Sequence, residues 1–211
     1  MPDAPLPPHY RTAIRRFVRF GAVGMAVGML LGLIWTELNK SVRYAPPAAE
    51  ARRVEEEGPS GRTKVRLELP PGVRWEAALS FKLSHGHAIL ITGVIPLLFG
   101  LGLFLAHACG GREIQASALS ASFWLYAFGA VGAVGLLLYK GVASFAAIRA
   151  GNFDLAAIEA GLFAGSKAIK GICYGLSHSC MAAGAYVFLY QLYRAVGPIA
   201  AELPGAPPPP T

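Results

Sequence analysis

Apolar positions in this chain gather into four long runs, and the polar positions between them do not alternate with a strand-like period except in one place. Arg11, Arg15, Arg16 and Arg19 lead into the first run, from about Phe20 to Leu38. The second ends near His107 and, with its polar approach, begins near Trp75. The third starts at Ala116 and reaches Tyr139, with a helical continuation to Arg149; the fourth goes from about Ala168 to Tyr193. Each is long enough to cross about 30 Å of hydrocarbon, which takes ~20 helical residues. The pattern therefore predicts spans at 17–38, 75–107, 116–149 and 168–195, an all-α integral membrane four-helix bundle. Pro96 is expected to kink the second span.

The connections read differently. Residues 1–16 are proline-rich and are expected to form a disordered tail, as is the PGAPPPPT end over 198–211. Residues 39–74 are polar and mixed in charge. Within them TKVRLEL (63–69) alternates like a strand, but a lone strand is marginal, so an exposed loop is expected. FDLAAIEAGLFAG is too short and too acidic to span; an interfacial helix over 152–166, capped by Asn152, is expected. A signal peptide is the rival reading of the first run. No small-x-small cleavage site follows it, and it ends in IWTELNK.

Composition sharpens this picture. The chain is 54% hydrophobic and 15% charged, where soluble domains carry about 25% charged residues. The net charge of +7 comes from basic residues that flank apolar runs, which points to a lipid bilayer as partner and not to nucleic acid. Three cysteines, an odd number, make no disulfide scaffold. No G-x-S-x-G, Walker loop, H-E-x-x-H or C-x-x-C is present, so soluble-enzyme chemistry is not indicated. The arginines before the first span favour a cytoplasmic N-terminus, whereas eight Lys or Arg in 39–74 favour the opposite orientation.

Two internal likenesses suggest a tandem 2+2 repeat of helix pairs. FGAVG occurs in the first and third spans, and LSH opens both LSHGHA in the second and LSHSCMAAGA in the fourth. A shift of 93 positions carries His85 onto His178 and Arg74 onto Lys167. Both histidines then lie about 16 Å into parallel helices, at ~1.5 Å per residue. Facing imidazoles in a bundle can hold a heme iron or another metal. His85 and His178 are accordingly the candidate axial ligands of a b-type heme between the second and fourth spans. His87 points about 200° away from His85 at ~100° per residue and is a lesser candidate. Gly86 would let a flat macrocycle come close, and Lys82, one turn from His85, could pair with a propionate or snorkel to the headgroups. Histidines that only hydrogen-bond to a neighbouring helix, or that carry protons or solutes, remain alternatives. Cys173, His178, Cys180 and Met181 offer soft ligands for copper, but Cys180 falls on a different face from His178. Gly24, Gly28 and Gly32 share one face of the first span and form a packing groove for a possible homo-oligomer or membrane-complex partner.

RTAIRRFVRFGAVGMAVGMLLGLIW, LSHGHAILITGVIPLLFGLGLFL and GICYGLSHSCMAAGAYVFLYQLYR resemble the small four-helix bacterial membrane proteins of the DUF2871 type, whose second helix starts with histidines and whose fourth carries G-x-S-H. The resemblance covers most of residues 11–195 and implies a location in the bacterial inner membrane but no established activity. HGHAILITGVIPLLFG is also similar to one histidine-bearing helix of the heme-copper oxidase catalytic subunit. The other oxidase histidines are absent, so that likeness implies heme at His85 or His87 without oxidase activity. The expected function is electron transfer, heme handling or sensing through b-type heme. The alternative is a cofactor-free bundle acting as a small transporter or as an accessory subunit of a membrane complex.

Overall fold

The computed structural model describes residues 5–40, 52–57, 63–68, 73–150, 152 and 154–196. In chain order these form α1 (Pro8–Lys40), β1 (Arg52–Glu57), β2 (Thr63–Glu68) and α2 (Val73–His87). Helix α2 continues through a π-helical segment, Ala88–Val94, into α3 (Ile95–Ala108). Then come α4 (Ala116–Arg149), α5 (Leu155–Gly161), a 3₁₀ turn (Leu162–Gly165) and α6 (Lys167–Ala195). Four helical stretches are long and apolar enough to cross a membrane: Pro8–Thr36, Ser80–Ala108, Ala116–Ala147 and Lys167–Ala195. The chain is an all-α four-helix bundle.

Three boundaries differ from expectation. Helix α1 begins at Pro8, so much of the expected 1–16 tail is helix. Proline suits a first helical position because its missing N–H would be unpaired there anyway. Tyr10, Ala13 and Phe17 then fall at helical spacing and are buried; the Tyr10 hydroxyl accepts the Ile114 N–H at 2.7 Å. Second, the 63–69 strand is not alone. β2 pairs antiparallel with β1, with Arg52 in register with Glu68 and Glu56 with Lys64. Third, α5 is capped by Asp154, whose carboxylate accepts the Ala157 N–H at 2.9 Å. Asn152 instead accepts the Asp154 N–H at 3.0 Å. The expected tail at 198–211 lies outside the described residues.

One aromatic ring from each span closes the bundle. Phe17 of α1 is fully buried and meets Phe99 of α3, Phe123 of α4 and Phe188 of α6 edge-on, at centroid distances of 5.6, 5.2 and 5.3 Å. Phe99 stacks on Phe188 at 4.4 Å. These rings lie toward the end of the bundle where α1 begins and α6 finishes, the end at which Arg112 N–H bonds to Ala195 O.

Pro96 is accommodated by a change of helix type. Ile95 N–H donates to Leu90 O, five residues back, as in a π-helix. The next bond in that register would run from residue 96 to Ile91 O, and proline has no N–H to give. The Tyr126 hydroxyl of α4 donates to Ile91 O instead, at 2.6 Å. A carbonyl inside a membrane span is thus satisfied by a side chain from the neighbouring helix.

The glycine face of α1 is filled within the chain. A Cβ added at Gly21 would meet Leu97 and Gly93, at Gly24 the Thr92 carbonyl, at Gly28 Ile89, and at Gly32 the His85 ring. Positions 85, 89, 93 and 97 are four apart, which in an α-helix drifts about 40° per step. The wider π turn holds them in line against α1. The packing groove expected at Gly24, Gly28 and Gly32 is thus taken up by a helix of the same chain. Helix α2 and its π extension occupy it.

Candidate functional site

The three histidines at issue have separate surroundings. His85 is half-buried, and its ring lies against Gly32, with Nδ1–H donating to Gly28 O at 2.6 Å. A carbonyl can only accept, so this bond fixes the proton on Nδ1. His85 is therefore the side chain that locks α2 onto the glycine groove of α1. His87, half-buried, donates from Nδ1 to Leu83 O of its own helix at 2.8 Å. His178 is exposed, donates from Nδ1 to Tyr174 O at 2.8 Å, and stacks on the Tyr174 ring.

The structure does not bring His85 and His178 together. His85 turns to α1 and His178 turns outward, while α4 packs on both α2 and α6. One chain thus does not bring these two imidazoles to a common heme. The reason lies in the two helix pairs. Aligning FGAVG puts Leu136 and Lys140 where the first half has Gly28 and Gly32. A histidine has no groove to enter there. The second pair also slides in register. Gly129 and Gly132 of α4 meet Ser177 of α6, next to His178, whereas His85 meets α1 about two turns beyond its FGAVG. The pairs share topology and differ in register.

The remaining candidates are quickly placed. Lys82 is exposed, and a Cβ at Gly86 would meet nothing within 4 Å. Met181 packs toward the core beside Gly129 while His178 faces out, so the soft-ligand set of α6 is not gathered. Among the described residues no group of three or more His, Cys, Asp or Glu is positioned to hold a metal.

A charged cluster that sequence reasoning did not assemble sits at the start of α6. Glu159 of α5 pairs with Lys140 of α4 at 2.7 Å and with Lys170 of α6. Hydrogen bonds from Lys140, and then from Lys170, hold its carboxyl below the usual carboxylate range. The turn between α5 and α6 makes this possible. Phe163 and Ala164 adopt left-handed backbone, with φ of 56° and 55°, and Gly165 follows at 74°. Non-glycine residues pay for that conformation. The Tyr139 hydroxyl receives the Phe163 N–H at 3.1 Å, and Ser166 then caps α6 by accepting the Ile169 N–H at 3.3 Å.

A first prediction separates the histidines. His85→Ala should lower the thermal stability of the detergent-solubilised protein by about 0.6 to 1.7 kcal/mol, the range for interhelical bonds in membranes. His178→Ala should leave the stability of the single chain unchanged. Equal effects in a melting experiment would remove the clamp role of His85.

No protein-family model, curated protein or solved structure matches this chain. The resemblances drawn above rest on the quoted motifs alone.

Proposed function

We propose that this chain is an accessory subunit of the bacterial inner membrane that works without its own catalytic site and pairs laterally with a second copy through the outer face of α6. The observation that carries this reading is the outward position of His178. It lies 11 residues after Lys167, the first residue of α6, or about 16 Å along the helix. An imidazole facing lipid at that depth is costly unless another helix covers it. Gly171, Gly175 and Ser179 are exposed at four-residue spacing on the same side, and a Cβ at either glycine would meet nothing within 4 Å. Small residues let a second helix approach closely, and a polar side chain can then bond across the contact. A two-fold axis along this row sets the same residues of both copies against each other.

One feature favours a second reading of the same pairing. With Nδ1–H committed to Tyr174 O, the Nε2 lone pair of His178 points away from its own helix. Two copies would supply two such nitrogens, the donor set for heme b that a single chain does not assemble.

The test is the mass of the protein in mild detergent by light scattering, with the absorption spectrum recorded on the same sample. The wild-type protein should be a dimer. Gly175→Leu, whose Cβ would meet nothing within 4 Å among the described residues, should remain folded and dissociate at least about tenfold more readily, a loss of ~1.4 kcal/mol. A wild-type monomer at all concentrations, or a dimer indifferent to Gly175→Leu, would overturn the pairing. A Soret band lost in His178→Ala would assign heme to the interface; a colourless dimer supports the cofactor-free subunit.

A further inference from the structure

The cleft between α5 and the start of α6 has a cationic rim and an apolar floor. Its volume is about 380 Å³, within the ~300–1,000 Å³ range of small-molecule sites. Lys167 and Lys170 stand on one side with Ser166; Ala156, Ala160 and Leu162 line the other. Glu159 is the one carboxylate in the lining, and it is shared between Lys140 and Lys170. Among the lining residues two lysines against one carboxylate leave a net positive charge, and Lys140 beside Glu159 adds to it. Asp154 caps α5 through the Ala157 N–H and does not line the cleft. Lys167 is exposed and makes no ion pair among the described residues. The first turn of α6 adds N–H groups that Ser166 does not use and the positive end of the helix dipole.

The location narrows the ligand. Lys167 opens the fourth membrane-length helix, so the cleft sits where a span meets the polar boundary. Basic pockets beside transmembrane helices are suited to anionic lipid headgroups. The apolar floor suits the glycerol and first acyl carbons of such a lipid, which a free anion does not need.

We propose that this cleft binds a phosphate-bearing anion, with the phosphate at Lys167 and Lys170, and that its source is the headgroup of an anionic phospholipid. Glu159 acts as a positioning residue, holding Lys170 and Lys140 together at the rim while the turn at Phe163–Gly165 presents Ser166 and Lys167. Lys167 stands one turn before Gly171, at the head of the α6 pairing row, and Gly175→Leu separates the two readings: it should dissociate the dimer and leave the lipid titration unchanged.

The experiment is a thermal-shift titration of the full chain, stripped of lipid in mild detergent, with phosphatidylglycerol, phosphatidylcholine and sodium phosphate. A ligand that binds only the folded state raises the melting temperature. Phosphatidylglycerol should do so saturably, and phosphatidylcholine should not. Lys167→Ala should weaken the titration midpoint about fivefold, and Lys167→Glu by more, given ~1 kcal/mol per basic residue near an anionic headgroup. Arg15→Glu, an exposed charge reversal at the opposite end of α1, should leave it unchanged. A shift from sodium phosphate equal to that from phosphatidylglycerol would keep the phosphate site and assign the free ion as its source. Equal shifts from both lipids, no shift from any, or a midpoint indifferent to Lys167→Ala would overturn the proposal. Lys167→Ala removes no ion pair among the described residues, so loss of folding does not obscure the result.

Discussion

Gly24→Leu should cost the bundle at least about 3 kcal/mol, the upper part of the range for overpacked positions, and should leave little folded protein after extraction into detergent. The size of the effect follows from what lies in front of Gly24. A Cβ there would run into the Thr92 carbonyl, a backbone atom, and into the Thr92 side chain. A flexible side chain could swing aside. A carbonyl inside a helix cannot move without carrying its helix along. Relief would need α1 to back away from the π-helical segment. That would also open the contacts of Gly21 with Leu97 and of Gly32 with the His85 ring, and stretch the 2.6 Å bond from His85 to Gly28 O. Gly135→Leu is the matched comparison, because Gly135 is exposed on α4 and a Cβ there would meet nothing within 4 Å. The measurement is the melting temperature and monodispersity of both variants. If Gly24→Leu melts with the wild type, α1 does not pack on the π segment through its glycines, and the groove reading is wrong.

The second large effect is expected at Tyr126 and tests a compensation. Tyr126→Phe removes the hydroxyl that donates to Ile91 O. A buried acceptor left unsatisfied costs about 1–3 kcal/mol. Pro96→Ala supplies the backbone N–H that proline withholds and should itself change stability little or raise it. In the Pro96→Ala background, Tyr126→Phe should cost markedly less, because Ile91 O then has a backbone donor. The coupling is read from a double-mutant cycle of unfolding free energies. Additive costs would show that Tyr126 does not stand in for the missing N–H.

This pair shows how far a sequence can be read. Pro96 announces a broken hydrogen bond in the second span, for which a kink is expected, and the helix answers with a π-helical segment. The remedy came from Tyr126, 35 residues away, on a helix whose rotation the pattern of apolar residues does not specify. In a uniformly apolar span every face looks alike, so hydropathy gives length without direction. Tyr10 carried a similar hidden role. The prolines around it suggested a tail, yet its ring is buried at the end of the bundle and its hydroxyl receives the Ile114 N–H. The Lys140–Glu159–Lys170 cluster escaped for the same reason, since its members come from three elements joined by a left-handed turn at two non-glycine residues.

Local information was enough for the four spans. Their existence, their number and the third and fourth boundaries depend on runs of apolar residues long enough to cross hydrocarbon, a property of each segment alone. The identical LSH triplets were equally visible, and they suggested identical roles. Packing made those roles different. His85 meets Gly28 and Gly32, which leave room for a ring. His178 faces outward, and the corresponding positions of α4 hold Leu136 and Lys140. Whether a histidine becomes a clamp or an exposed group is set by the register between helices, which is fixed by the small residues of the partner helix and not by the residues around the histidine.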